Sequence, residues 1–276
     1  MSDVPRYHPD IKVAQDGHVT TVTIDRPDTK NACTGDMWVA IGETFRRLAY
    51  SGTRVIVLTG GGDDFCAGAD LSGAGGSGGG SGGSGGSGGG PMGNQLAGMR
   101  VLGEAVLAVH GCPVPTVARV DGVAVGAGFG LSLACDLTVC SDRARFSAIF
   151  AKRGISLDFG TSWLLRQRIG VHRAKELALT ARMVAGPEAH ELGLVNRLAP
   201  VDDLDAVTAE LVDAIAAGPP LALSMTKREL DNAATSSLAQ ALETEALAQS
   251  VNVGTEDIRE ALTAYAERRP PEFKGR

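Results

Sequence analysis

The sequence predicts an α/β fold with a C-terminal helical region, and three observations support this prediction. The segment "TRVIVLTGGG", residues 53–62, is a continuous apolar run closed by glycines, which is typical of a strand buried on both faces. Strand-like and helix-like segments alternate between residues 18 and 200, and from Leu204 onward the pattern is helical. Such alternation favours a parallel sheet covered by helices.

Each element follows from hydrophobic periodicity and from glycine or proline at its ends. His18–Pro27 is rich in β-branched residues and ends at proline, and Met37–Gly52 has apolar residues at helical spacing. A further helix, Asn94–Val109, is followed by Gly111 and two prolines. The remaining predictions are a strand, glycine-rich turn, short helix and strand over 116–142, a helix over Thr161–Ile169, and helix, turn, short helix and strand over 172–200.

Residues 73–90 consist of glycine and serine with a single alanine. Such a tract cannot bury apolar surface, so we expect a flexible coil that contributes little stability. Because both flanks fit one α/β domain, we interpret the tract as an internal loop and not as a linker between domains. Its regularity also fits a designed replacement or a placeholder for a natural loop.

Composition excludes several classes of function. A net charge of −6 argues against a nucleic-acid partner, which requires a basic surface. No apolar run approaches the roughly 20 residues of a membrane span. The start, "MSDVPRYHPD", lacks the basic and then apolar segments of a signal peptide, and the five cysteines have no metal-ligand spacing. We therefore expect a cytoplasmic, reduced protein with no metal site and no membrane partner.

Two small-residue turns can bring backbone N–H groups close to a ligand. Ala69 follows a strand and a glycine in "DDFCAGADLSG", where no large side chain blocks the backbone. Gly126, Ala127 and Gly128 stand at a predicted helix start, where N–H groups lack partners and favour negative charge. Two such donors converging on one oxygen would form an oxyanion hole.

Four segments carry a resemblance that runs along nearly the whole chain: "FCAGADL", "GVAVGAGFGLSLACDL", "ARFSAIFAKRGISLDFGTSWLLRQRIG" and "ERRPPEFKGR". They resemble, in the same order, the crotonase superfamily of enoyl-CoA hydratases and isomerases, and only the glycine tract interrupts the likeness. The resemblance implies a spiral of ββα repeats over residues 1–200 and a helical oligomerisation region over 201–276, in a homotrimer or a dimer of trimers. It also implies an acyl-CoA substrate, with coenzyme A carried by the substrate and no separate cofactor.

The resemblance further implies which residues form the site. Ala69 and Ala127 match the two backbone donors that hold the thioester carbonyl, with Gly126 left as an alternative. The residues implied to contact substrate are Ala67, Gly68, Asp70, Gly126 and Phe150. Lys30 and Lys274 are candidates for the CoA phosphates, and solvated surface charge is the alternative for both.

A classical hydratase uses two carboxylates to activate a water. The matching positions here are Gly130 and Phe150, and neither can transfer a proton. We therefore expect isomerase chemistry in preference to hydration.

Asp158, in "GISLDFGTSW", is the remaining candidate for acid–base chemistry. The segment is similar to phenylacetate-pathway ring-epoxide isomerases and Δ3,Δ2-enoyl-CoA isomerases, in which the matching aspartate moves a proton. It departs from their pattern at Leu157, where proline is usual, and at Phe159. The alternatives are a helix N-cap, a nucleophile as in related dehalogenases, an atypical hydratase, and an acyl-CoA-binding protein without turnover. The dehalogenase mechanism also needs a histidine within Asn94–Val109, which has none.

Overall fold

Strands and helices alternate along the chain in a computed structural model that describes residues 7–72 and 92–276. The strands are β1 (Ile11–Asp16), β2 (Val19–Ile24), β3 (Val55–Gly60), β4 (Thr116–Val120), β5 (Val123–Val125), β6 (Leu137–Ser141), β7 (Arg145–Ser147), β8 (Val184–Ala185) and β9 (Arg197–Ala199). The helices are α1 (Gly35–Leu48), α2 (Met92–His110), α3 (Ala127–Ala134), α4 (Thr161–Thr180), α5 (Gly186–Glu191), α6 (Leu204–Ala216), α7 (Pro220–Ala233), α8 (Leu238–Asn252) and α9 (Glu256–Glu267). The predicted flexible tract at 73–90 lies outside the described residues.

The strands form two sheets that the chain visits in turn. The larger sheet has the order β1-β2-β3-β4-β6-β9, and all of its pairs are parallel except β1 with β2. The smaller sheet has the order β5-β7-β8, with β5 and β7 parallel. Because β4 and β6 belong to one sheet while β5 and β7 belong to the other, the chain winds as a spiral of repeated turns.

Strand β3 is buried on both faces, as its apolar run predicted. Ile56 and Leu58 belong to the main core with α1, whereas Val55 and Val57 belong to a second core against α6. This alternation follows from the two-residue period of side chains along a strand. Packing on both faces therefore holds the carboxyl end of β3, and the turn that follows it, between the main core and the second core.

Helix α1 covers the main core on the side of the candidate site. Thr34 caps its start by accepting a hydrogen bond from the Met37 N–H, and Trp38 lies on the buried face. Gly42 permits a close crossing with α2, because a Cβ there would lie 3.0 Å from the Cα of Ala105.

Two details differ from the sequence predictions. Strand β1 has no predicted counterpart, because five of its six residues are at least partly exposed and its apolar pattern is weak. The chain after Glu267 is not helical, although the prediction extended helix to the end. The two helices predicted on either side of Gly170 form α4, with a break at Gly170 where φ is 76°, in agreement with the prediction.

Candidate active site

The first small-residue turn is held on both sides by backbone hydrogen bonds. The carbonyl of Cys66 accepts from the Val125 N–H at 3.0 Å, and the carbonyl of Gly68 accepts from the Cys33 N–H at 2.8 Å. The Ala67 N–H donates to the carbonyl of Lys30 at 2.9 Å. Among the described residues, the N–H of Ala69 has no acceptor. Its immediate neighbours in the turn are fixed, so this one donor stands free in a rigid position.

The second turn begins α3 and presents the N–H of Ala127, which also has no acceptor within the described ranges. Gly126 turns the chain with a φ of 58°, which favours glycine, and its own N–H donates to the carbonyl of Ser147 at 2.9 Å. Gly126 is therefore not the second donor, and the alternative that the sequence left open is removed. Helix α3 adds the positive end of its dipole at the same point.

The two turns touch each other. A Cβ on Gly68 would lie 2.8 Å from the Val125 carbonyl oxygen and 3.4 Å from the Ala127 nitrogen. A Cβ on Gly128 would lie 2.2 Å from the Cys66 carbonyl oxygen. The glycines are thus needed for close approach, and the approach brings two unused N–H donors to one place. Such a pair can stabilise negative charge on an oxygen.

Asp158 precedes α4 and supplies a carboxyl group in a largely apolar setting. Its Oδ1 atom is buried and accepts no hydrogen bond from the described residues, and partial burial raises the pKa of this carboxyl above its usual value. The residue at the N-cap of α4 is Gly160, and no side chain among the described residues caps that helix. The predicted N-cap alternative for Asp158 is therefore wrong. A partly buried carboxyl group with an unpaired oxygen and a raised pKa is typical of a proton-transfer group.

The turn that carries Asp158 is held in an uncommon backbone conformation. Phe159 has a φ of 51° and Gly160 a φ of 74°, and the Thr161 N–H donates to the Asp158 carbonyl at 3.0 Å. A positive φ is unusual for an aromatic residue. The buried Phe159 ring packs on Trp38 with a centroid distance of 4.5 Å, and this contact holds the turn. Local strain of this kind clusters at functional sites.

Comparisons with known proteins show the family of this chain. The sequence model of the enoyl-CoA hydratase/isomerase family matches residues 14–276. The chain belongs to the enoyl-CoA hydratase/isomerase family. It is 29% identical over 260 residues to the 1,2-epoxyphenylacetyl-CoA isomerase of Escherichia coli K12, covering 94% of this chain and 95% of that protein.

Solved structures of the family show the same fold. An enoyl-CoA hydratase from Bacillus anthracis superposes with a TM-score of 0.88 at 29% identity, covering 97% of this chain and 100% of that one. A protein from Thermobifida fusca YX, solved in complex with CoA, superposes with a TM-score of 0.79 at 32% identity, covering 88% and 93%. The predicted crotonase fold is confirmed. Most of the named relatives are enoyl-CoA hydratases, and they also include the 1,2-epoxyphenylacetyl-CoA isomerase.

Within this family, the two positions predicted to lack hydratase carboxylates have a structural role. A Cβ on Gly130 would lie 2.5 Å from the Phe159 carbonyl oxygen and 3.0 Å from the Phe159 Cβ. The Asp158 turn therefore occupies the space that a glutamate side chain at position 130 would need. Phe150 lies in a 3₁₀ turn and is only 3% exposed, within the main core.

Two residues that were predicted to contact the substrate, Asp70 and Lys30, lie near the oxyanion turns. Asp70 accepts hydrogen bonds from the Ser72 N–H at 2.9 Å and from Arg26 at 3.0 Å, and these lower the pKa of its carboxyl to about 2. It is thus ionised and structural. The Lys30 ammonium is largely exposed and lies 3.9 Å from a carboxylate oxygen of Asp64. Asp64 also accepts a hydrogen bond from the Val123 N–H at 2.9 Å, which ties this turn to the start of β5.

Within this chain, Lys274 lies away from the oxyanion turns and from Asp158. Its N–H donates to the carboxylate of Asp257 on α9, and the neighbouring Phe273 carbonyl accepts from Arg54 at 2.6 Å. Arg54 directly precedes β3, whereas the oxyanion turn follows the other end of that strand. A six-residue strand separates the two by about 20 Å.

Metal-binding and membrane-spanning features give little further information. The described residues contain no group of three or more side chains that could hold a metal ion. None of the described helices is by itself long and apolar enough to cross a membrane. Helices α6 and α7 together meet that length and composition test, but they are bent by 104°.

Proposed function

We propose that this enzyme isomerises enoyl-CoA thioesters, with Asp158 as the general base and the N–H groups of Ala69 and Ala127 as the oxyanion hole. The observation that carries this proposal is the packing of the Asp158 turn against Gly130. The turn takes the space that a side chain at position 130 would need, and it carries a carboxyl group whose Oδ1 atom is buried and without a partner among the described residues.

The proposed reaction conserves atoms and needs no oxidant or reductant. The Asp158 carboxylate takes a proton from the carbon between the thioester carbonyl and a 3,4 double bond. The electron pair moves into a dienolate, and its oxygen charge is held by the two backbone donors. The carboxylic acid then returns the proton to the far carbon of the dienolate, which yields the conjugated 2-enoyl thioester. A raised pKa suits a group that must be base and then acid near neutral pH.

The nucleophilic alternative receives less support from the described residues. It requires a histidine beside Asp158 to activate water. Helix α2 does include His110, one residue beyond the predicted helix. However, His110 packs edge-on against Trp163 at 5.5 Å and lines a cavity with Asp231, a cavity to which Asp158 does not contribute.

The decisive experiment is Asp158→Asn assayed with a panel of 3-enoyl-CoA and 2-enoyl-CoA thioesters. Isomerisation is read from the ultraviolet absorbance of the conjugated thioester. We expect a loss of roughly 10²–10⁴-fold, the usual contribution of general acid–base catalysis. Thioester binding should change little, because the amide keeps the shape of the carboxyl group.

Asp202→Asn, at an exposed position far along the chain, is the matched control and should retain parental turnover. Parental turnover in Asp158→Asn would remove this residue from the mechanism and favour the hypothesis of a binding protein. Hydration of 2-enoyl-CoA by the parent at typical enzyme rates of about 1–10³ per second would contradict the proposal.

A further inference from the structure

Two unpaired polar atoms lie on one turn at the candidate site. Three buried side-chain polar atoms of the described residues lack a hydrogen-bond partner: Asp158 Oδ1, Thr161 Oγ1 and Lys227 Nζ. Lys227 Nζ lies 2.8 Å from Asp136 Oδ2 and is held in an ion pair. The other two atoms belong to the first and last residues of the turn over 158–161. A buried hydroxyl without a partner is costly, so it calls for an explanation.

Thr161 is placed beside Asp158 by the backbone. Its N–H closes the turn on the Asp158 carbonyl at 3.0 Å, and such a turn brings its end Cα atoms within about 7 Å. Thr161 is fully buried. Its Oγ1 occupies space that only a glycine at position 130 leaves open, since a Cβ there would lie 3.0 Å from it.

Within ranges 7–72 and 92–276, no competing charge acts on the Asp158 carboxyl. The turn packs against α3 through Gly130, against α1 through Trp38 and against α2 through Val106. Helix α3 carries no ionisable side chain except its flanking cysteine, and neither does the segment 73–90. Among the described residues, no charged group of α1, α2, α4 or the 149–153 turn contributes to the raised pKa of Asp158, whose one cause is burial.

We propose that Thr161 is a positioning residue for Asp158, linked to its carboxyl group through one bridging water that hydrogen-bonds both unpaired atoms. A hydroxyl can donate to the ionised carboxylate and accept from the protonated acid. It therefore keeps the carboxyl group in one orientation while the proton leaves one carbon and returns to another. This inference rests on the proposed isomerase function and names a second residue of the same site.

Thr161→Val tests the link, because it preserves the branched shape and removes only the hydroxyl. We expect kcat to fall roughly 10- to 100-fold, the range expected for one hydrogen bond to a charged group, with KM nearly unchanged. The hydroxyl donor favours the ionised carboxylate, so its removal raises the pKa of Asp158 further. The acid limb of the pH–rate profile should therefore move to higher pH.

Two variants control for packing. Thr161→Ser retains the hydroxyl and should restore most of kcat and the parental pH profile. Ser162→Ala removes an exposed hydroxyl from the next position and should behave as the parent. Thermal unfolding of Thr161→Val, Thr161→Ser and Ser162→Ala should show that all three variants are folded at the assay temperature. Parental kcat and an unshifted acid limb in Thr161→Val would overturn the proposal, as would equal losses in the Val and Ser variants.

Failure of the inference can be told apart from failure of the proposed function. In an Asp158→Asn background, Thr161→Val should cause no further loss, because both changes act on one step. Carbon-13 NMR titration of the Asp158 carboxyl, with and without Thr161→Val, measures the link without any turnover. An unchanged titration overturns the inference even if Asp158 is catalytic. A shifted titration supports the link even if the enoyl-CoA panel shows no isomerisation.

Discussion

The carboxyl group of Asp158 lies in a setting that favours its neutral form. Burial raises its pKa, and no described residue donates a hydrogen bond directly to Oδ1 to stabilise the charge. The same setting that prepares a base for proton transfer makes the ionised residue costly to the folded state. Activity and stability therefore make opposite demands on this residue, as is common at active sites.

Asp158→Asn should consequently raise the stability of the protein at neutral pH. A carboxyl group with a raised folded-state pKa contributes most to stability below its unfolded pKa of about 3.9, and that contribution is lost as pH rises through the folded-state pKa. The amide does not ionise, so the variant avoids the loss. Urea unfolding at pH 7 should show the variant to be more stable, and the difference should shrink towards pH 4. If the variant were less stable than the parent at pH 7, burial of the ionised Asp158 carboxylate would not be destabilising, and the argument would be wrong.

At the scale of elements, the site depends on the packing of α3 against the turn that begins α4. Gly130 lies in α3 and leaves room for the backbone of Phe159, whose ring is in turn held by Trp38 on α1. The absence of a side chain at position 130 thus leaves room for the turn that carries Asp158, the proposed base. Helix propensity alone would disfavour glycine here.

Gly130→Ala should destabilise the protein by about 1–3 kcal/mol, the typical cost of overpacking, because the new methyl group would meet a backbone oxygen at 2.5 Å. It should also lower isomerase turnover by displacing Asp158. Gly103→Ala in α2 is the matched control, since a Cβ there meets nothing within 4 Å. It should stabilise the protein by roughly 0.5–1 kcal/mol through helix propensity. Chemical denaturation measures the free energy of unfolding of both variants. Equal changes in Gly130→Ala and Gly103→Ala would refute the packing argument.

Over the whole molecule, the C-terminal segment returns to the opposite end of the larger sheet. Asp257 is buried at the start of α9 and accepts from the N–H groups of Lys274, at 2.6 Å, and Gly275, at 2.9 Å. Arg54 holds the same segment through the Phe273 carbonyl. These contacts fasten the end of the chain to the amino end of β3, far from the oxyanion turns.

Asp257→Ala should reduce the free energy of unfolding by roughly 1–3 kcal/mol, because it leaves two backbone donors without their charged acceptor. Asp257→Asn keeps one acceptor oxygen and should lose about half as much. Turnover should stay near the parental value in both, since neither touches the site. Glu243→Ala, at an exposed position on α8, is the control and should be neutral. A fully stable Asp257→Ala would show that the tail contacts are not needed.

Sequence reasoning found those parts of the site that depend on local chemistry. Ala69 and Ala127 were predicted because small residues beside glycine expose backbone donors. Asp158 was predicted because its segment resembles isomerases in which the matching aspartate moves a proton, and because apolar residues surround it in the sequence. Their roles stay predictions until variants are tested, although the geometry agrees with all three.

What sequence reasoning missed depends on contacts between distant segments. A phenylalanine gives no sign of a positive φ, so the Phe159 turn could not be foreseen. Thr161 resembles an ordinary helix-start residue, and only the tertiary structure shows that its hydroxyl lacks a partner. Lys274 was placed near CoA by resemblance alone, and within the chain the tail runs elsewhere.

The parallel pairing of the larger sheet has a consequence for the order in which the molecule folds. Val19 pairs with Val55, Ile56 with Thr116, and Val139 with Arg197, so every new parallel strand must find a partner far away in sequence. Closing such long loops makes folding slow compared with helical proteins of similar size. The Ala69 and Ala127 donors meet only once Cys66 has bridged to Ala124, a contact between two separate turns of the spiral. Thioester binding thus reports on late folding, and a refolding chain acquires it only after most of its backbone is already in place.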